Sequence, residues 1–232
     1  MEEAQTRVQQ GEAVPPSLRA QLLATEHWRL LASRSTTQNE LLVRIAIFLT
    51  LVSASVVSLA LVGQATDFDG RFELFAIVLF SVLLAVGTLT LLRVANGSDE
   101  DMSYVIGMNR LRAAHAELDA GIDRYLVASR HDDELGISQT YSYFPHSSQL
   151  VQPLASSTMF IIVVDAVVAG VLAGLIATAA GGSGVAIALT SAAVGTSYLL
   201  AAFGLSVRRL KAQQRGYEAL FPHPATQAEG TR

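Results

Sequence analysis

Long apolar runs alternate with polar segments along this chain, and four of the runs are long enough to cross a membrane. They cover residues 41–63, 72–92, 158–180 and 185–207. Because a helix rises about 1.5 Å per residue, about 20 residues cross a hydrocarbon layer about 30 Å thick. The pattern predicts an all-α fold, an integral membrane four-helix bundle built from two transmembrane hairpins, with cytosolic helices.

The changes between apolar and polar sequence divide the chain into five predicted parts. Short polar turns at 64–70 and 181–184 lie inside the two hairpins. The parts are a cytosolic N-terminal tail with an amphipathic helix (1–40), transmembrane hairpin 1 (41–93), a cytosolic helical segment (94–157), transmembrane hairpin 2 (158–207) and a cytosolic C-terminal tail (208–232).

Basic residues indicate which side of the membrane each polar part faces. They are numerous in the N-terminal, central and C-terminal parts, whereas Arg71 is the only basic residue in or directly beside the short turns. Arginine and lysine are enriched in cytoplasmic loops of membrane proteins. We therefore expect a multi-pass protein of the cell inner (plasma) membrane, with both termini and the central segment in the cytosol.

Composition supports the membrane class and narrows the chemistry. The chain is 51% hydrophobic and only 16% charged, which is too apolar for an ordinary soluble domain of 232 residues. It has no cysteine, and its net charge of −4 argues against nucleic-acid binding. We find no phosphate loop, nucleophile elbow, dinucleotide-binding glycine pattern or zinc-protease pair, so we expect no cofactor, no metal and no enzymatic activity.

One carboxylate, Asp165, falls inside the third apolar run. Placing an aspartate at the centre of a membrane helix costs roughly 2.5–3.5 kcal/mol, so a partner is expected. Counting residues from the cytosolic side puts the hydroxyls of Tyr198, Ser197 and Thr50 at a similar depth. Arg44 lies shallower and either reaches inward or extends to the interface. Asp165 is then either functional or a structural group that only holds helices together.

Small residues recur beside Asp165, at Ala166, Gly170 and Gly174. A spacing of four residues puts them on one helix face, where they allow another helix backbone to approach closely. The pattern predicts helix packing on this face, within one chain or between the subunits of a homo-oligomer.

The polar parts contain three further patterns. An amphipathic helix after Ser17, with Trp28, lies on the membrane surface or, as we favour, packs against cytosolic helices. Ser98 and the acids after it predict a second helix start, followed by a short heptad-like seam that docks on the N-terminal helix or on its copy in another subunit. Residues 136–157 are predicted to form a loop. The sequence HDDE at 131–134 contains metal-ligand types, but consecutive residues diverge, so a charged helix end or loop is favoured.

Three stretches also resemble known proteins: LLATEHW at 22–28, GMNRLR at 107–112 and HDDE at 131–134. They are similar to an uncharacterised family of bacterial four-span integral membrane proteins, and the likeness implies that layout without implying an activity. The arrangement of hairpins and cytosolic helices is also loosely similar to SLATT-type membrane effectors of bacterial defence systems. Those effectors typically have one hairpin, whereas this chain has two.

The sequence supports two functional hypotheses. The first is a homo-oligomeric pore or channel-like effector in the lipid bilayer, gated through its cytosolic helices, because an ionisable group lies inside a small-residue-rich run. The alternative is a non-conducting membrane scaffold or sensor that recruits a cytosolic protein partner. An intramembrane enzyme is disfavoured because no second acid, histidine or metal cluster accompanies Asp165.

The predicted orientation is tested by cysteine labelling, which the absence of native cysteine makes clean. Single cysteines replace Ser98, Asp67 or Ser183 in otherwise unchanged chains. A membrane-impermeant maleimide applied to intact cells should label the variants at 67 and 183 and leave the variant at 98 unlabelled. Labelling at 98 would reverse the orientation.

Overall fold

The computed structural model describes residues 15–141, 156–215 and 217–224, and within those ranges the chain is helical with no β-strand. The elements are α1 (Pro16–Ala65), α2 (Gly70–Leu118), a 3₁₀ helix (Ala120–Tyr125), α3 (Glu134–Tyr141), α4 (Ser157–Ala179) and α5 (Gly184–Arg215). Helices α1, α2, α4 and α5 are each long and apolar enough to cross a membrane. The predicted all-α class with four long apolar helices is confirmed.

The first two long helices extend beyond the predicted spans, and the predicted helix start at Ser98 is wrong. Ser98 lies inside α2, and its hydroxyl donates to the carbonyl of Val94 at 3.1 Å. Gly97 does not end the helix, although glycine costs about 1 kcal/mol in a helix interior. A Cβ at Gly97 would collide with Leu41, so the glycine allows α1 and α2 to approach closely.

The segment after 136 also differs from its prediction as a loop. Residues Glu134–Tyr141 form α3, and the rest of the predicted loop up to 155 lies outside the described residues. The Asp133 carboxylate accepts the Gly136 N–H at 2.9 Å, as an N-cap residue does. Asp133 is therefore a helix-start signal in the sequence, which the prediction of a loop did not take into account.

Contacts divide the described residues into two compact units. The polar unit contains residues 15–35, 102–141 and 218–224, and the apolar unit contains 36–101, 156–215 and 217.

In the polar unit the start of α1 packs antiparallel to the end of α2. Arg19 pairs with Glu117 at 2.7 Å, and Gly107 faces Leu30, whose Cδ1 would lie 2.9 Å from an added Cβ. The part of α2 that carries the predicted seam therefore contacts the start of α1 in the same chain.

In the apolar unit all four long helices contribute to one hydrophobic core. Its buried members come from α1, α2 and α4, and partly buried residues of α5 pack against them. They are Ile45, Phe48, Leu91, Val94, Ile161 and Ile162, with Leu199 and Ala202 from α5.

Helices α4 and α5 approach each other closely in this unit. A Cβ at Gly195 would lie 2.9 Å from the carbonyl oxygen of Ala166 and 3.5 Å from the Cα of Gly170. Gly174 faces the side chain of Ser191. The predicted small-residue face at Ala166, Gly170 and Gly174 therefore contacts α5 of the same chain.

Two glycines of α5 provide a matched test of this contact. A Cβ at Gly204 meets no atom within 4 Å, whereas at Gly195 it meets backbone. Both alanine variants gain helix propensity, so the difference isolates overpacking, which typically costs about 1–3 kcal/mol. We expect Gly195→Ala to unfold more easily than Gly204→Ala by about that amount in detergent. Equal stability of the two variants would show that the helices are not closely packed there.

Candidate functional site

Asp165 in α4 is fully buried, with an exposed fraction of 0%, inside the apolar unit. Its Oδ2 accepts a hydrogen bond from the Tyr198 hydroxyl of α5 at 3.0 Å, and that hydroxyl lies 3.1 Å from Thr88 Oγ1 of α2. A phenol has a single proton, so Thr88 donates to Tyr198 when Tyr198 donates to Asp165. The three residues form a carboxylate–hydroxyl chain that joins α2, α4 and α5.

The second carboxylate oxygen has a different environment. Asp165 Oδ1 is buried without a hydrogen-bond partner among the described residues. It lies against Gly87 of α2, where a Cβ would overlap it and would also lie 2.8 Å from Phe48 Cζ. Gly87 therefore provides the space that this oxygen occupies, and the fully buried Phe48 lies beside that space. A buried polar atom without a partner indicates a functional role, a water or an ion.

The structure brings together two of the five residues that the sequence proposed for this site, Asp165 and Tyr198. Ser197 and Thr50 are exposed in the described chain, and the Thr50 hydroxyl donates to the carbonyl of Ala46 on its own helix at 2.8 Å. Helix α1 instead directs Phe48 toward the site. Because each residue turns a helix by about 100°, Thr50 lies on nearly the opposite face from Phe48.

Arg44 belongs to a separate charge network. Its Nε lies 2.9 Å from Glu40 Oε1, and Glu40 also accepts from Arg93 at 3.0 and 3.2 Å. Arg93 in turn donates to Glu100 at 2.8 Å. Glu40 thus joins two arginines of neighbouring helices, and Arg44 has a carboxylate partner one helical turn away.

Sequence reasoning missed Gly87, Thr88 and Phe48. Gly87 and Thr88 belong to the second apolar run, whereas the hydroxyls proposed from depth belong to the first and fourth runs. A glycine followed by a threonine inside an apolar run was the available signal, because an interior glycine marks close approach and a hydroxyl inside such a run needs a partner.

The polar groups that the described residues bring to the site are all oxygens. A carboxylate and two hydroxyls are suited to a proton or a hard cation, since hard cations take oxygen ligands. Within the described residues no group of three or more histidine, aspartate or glutamate side chains is placed to hold a metal ion. Comparisons with family models, with curated proteins and with solved structures gave no match.

The carboxylate–hydroxyl chain makes a stability prediction. Tyr198→Phe removes the donor to a buried carboxylate, and leaving a buried acceptor unpaired costs about 1–3 kcal/mol. We expect a loss of that size in the free energy of unfolding in detergent. Ser197→Ala, at an exposed neighbouring position, is the control and should change it little. A Tyr198→Phe variant as stable as the control would contradict the hydrogen bond.

Proposed function

We propose that this chain is a channel-like membrane protein in which Asp165 binds the transported proton or small cation. The supporting observation is a fully buried carboxylate, inside a helix long and apolar enough to span a membrane, with one oxygen that has no partner among the described residues. An ionisable residue at such a position is costly and is typically found on ion or proton pathways.

The site geometry suggests how Asp165 would work. Oδ1 would bind the proton or cation, while Tyr198 holds Oδ2 and fixes the orientation of the carboxylate. The Thr88 hydroxyl would support Tyr198 when the charge on the carboxylate changes, because hydroxyl protons can rotate. As Asp165 is closed from solvent, conduction would require a separation of α2 from α4 near Gly87.

The same proposal includes assembly and gating. Helices α1 and α5 carry many exposed large apolar side chains. Of the residues in the most apolar stretch of each helix, 11% are buried within the chain in α1 and 0% in α5. Such faces need lipid or another copy of the chain, which supports a homo-oligomer in the bilayer. Gating through the cytosolic helices is supported by α1 and α2, since each contributes residues to both the polar and the apolar unit.

One observation favours the second candidate, a non-conducting scaffold or sensor that recruits a cytosolic protein. In the polar unit, Trp28 is 69% exposed and Leu22 is also well exposed on the same helix. Exposed large aromatic side chains are enriched at protein interfaces. A scaffold of this kind would use Asp165 for helix assembly alone.

Ion flux separates the two candidates. Purified protein in liposomes should conduct protons or small cations, and Asp165→Asn, which keeps the shape and removes the charge, should lower the flux at least about tenfold. A tenfold change corresponds to about 1.4 kcal/mol. This energy is near the lower end of the range that a hydrogen bond to a charged group contributes. Ser197→Ala should conduct like the unmodified chain.

Each contrary outcome has a definite meaning. A correctly assembled, unmodified protein that passes no ions under any applied gradient would overturn the channel proposal in favour of the scaffold. Normal flux through a normally assembled Asp165→Asn variant would leave conduction standing but remove Asp165 from it.

A further inference from the structure

Two adjacent buried acids, Asp132 and Asp133, lie in the polar unit, in the HDDE stretch at 131–134. Asp132 is fully buried, and its carboxylate accepts the backbone N–H groups of Leu220 at 3.1 Å and Phe221 at 2.7 Å. In return the Asp132 N–H donates to the Phe221 carbonyl at 3.3 Å. One aspartate thus binds two consecutive amides and the carbonyl of a segment about 90 residues further along the chain.

The neighbouring residues extend this contact. Asp133 accepts the His223 N–H at 2.8 Å and lies 2.8 and 3.0 Å from His223 Nδ1. His131 Nδ1 lies 3.2 Å from the Phe221 carbonyl oxygen, and the rings of His131 and His223 are 3.9 Å apart. Pro222 has no N–H, and it lies between Phe221 and His223, whose backbone N–H groups donate to Asp132 and Asp133. The contacted pattern is therefore two amides, a proline and a histidine.

Two side chains of helix α2 also contact the HDDE stretch. The buried Asn109 side chain donates to the His131 carbonyl at 2.8 Å, and Arg110 pairs with Asp132 at 2.8 Å. Two of the stretches noted in the sequence, 107–112 and 131–134, therefore meet in one structure. The second stretch is a charged loop that leads into α3, which begins at Glu134, and its acids Asp132 and Asp133 are buried.

We propose that His131, Asp132 and Asp133, here termed the acidic groove, form a reversible binding site for an extended peptide, and that the C-terminal segment 220–223 of the same chain is its occupant. Both acids keep a partner when this segment leaves: Asp132 keeps Arg110, and Asp133 keeps the Gly136 N–H. Release therefore leaves no buried carboxylate unpaired, which would otherwise be the main cost.

The packing around the segment also favours release. Leu220 is 64% exposed, and an open cavity of about 280 Å³ is lined by residues of both α2 and the segment. Its lining includes Ala113 and Ala116 from α2, and Phe221 and Pro222 from the segment. Polar contacts hold the segment beside an open cavity, so a competing peptide can replace it.

Acidification near neutral pH does not release the segment through Asp133. Burial raises the pKa of this carboxyl, but hydrogen bonds from the His223 and Gly136 backbone and from the His223 ring outweigh burial, so the pKa is lowered overall. A carboxyl group whose pKa is lowered by a contact stabilises that contact fully at pH values above its ordinary pKa of about 3.9. The stabilisation is lost only as the pH falls through the lowered pKa. His131, His223, Asp132 and Arg110 face the same contact.

The test uses the full-length chain in detergent or nanodiscs, with Leu220→Cys carrying a spin label at an exposed position. The label should be largely immobile, and a synthetic peptide of residues 217–224 should make it mobile. A tethered segment competes at an effective concentration on the order of millimolar, so the peptide is titrated through and beyond that range. A control peptide with proline at the positions of Leu220 and Phe221 lacks both amide donors and should have no effect.

Variants of the groove give an independent readout. Asp132→Asn should shift the label from mostly immobile to mostly mobile without added peptide, whereas Glu134→Gln, at the exposed neighbouring acid, should not. The displacement experiment uses the unmodified groove, so it remains decisive if Asp132→Asn fails to fold. Failure of the 217–224 peptide to mobilise the label, or equal action of the control peptide, would overturn the proposal. Neither result depends on ion flux.

Discussion

The hydrogen bond from Tyr198 to Asp165 is the contact on which the arrangement of the apolar unit depends. A carboxylate closed off from water requires a donor, and the nearest one comes from another helix. That requirement fixes the register of α4 against α5. The facing pair Gly170 and Gly195 enforces a matching register by backbone contact, so the polar and the steric constraint agree. Gly87 then allows α2 to approach the other carboxylate oxygen.

The two units use acids in opposite ways. In the described part of the apolar unit, Asp165 accepts a hydrogen bond from Tyr198 at one oxygen, and its other oxygen has no partner there. In the polar unit, Asp132 and Asp133 are surrounded by backbone amides and by Arg110 or His223. Multiple donors indicate a site of binding and orientation, whereas an under-coordinated buried carboxylate is suited to taking up a proton or cation. This contrast motivates placing conduction at Asp165 and peptide recognition at the acidic groove.

The sequence predicted the parts of this structure that depend on local pattern. Run length indicated four apolar helices, and a spacing of four residues indicated the close-packed face at Gly170. Depth counting paired Asp165 with Tyr198, because depth follows directly from helical rise. The same count also selected Thr50, since depth does not determine how a helix is rotated. Phe48, two residues earlier, points toward the site instead.

The remaining features depend on contacts between distant parts of the chain. Nothing local to HDDE indicates that residues 220–223 will contact it, so the burial of Asp132 and Asp133 could not be predicted from the sequence. Helix α2 is continuous through Ser98, and Gly97 beside it packs against Leu41 of another helix. A strong local start signal therefore does not by itself set where a helix begins, which is the usual limit of propensity arguments.

Infrared spectroscopy of the Asp165 carboxyl group tests the central contact most directly. Its C=O band is identified as the band that Asp165→Asn removes. We predict that this band shifts in frequency in Tyr198→Phe, because the hydroxyl no longer donates to the carboxyl group, and keeps its frequency in Ser197→Ala. An identical band in the unmodified protein and in Tyr198→Phe would contradict the contact that organises the site.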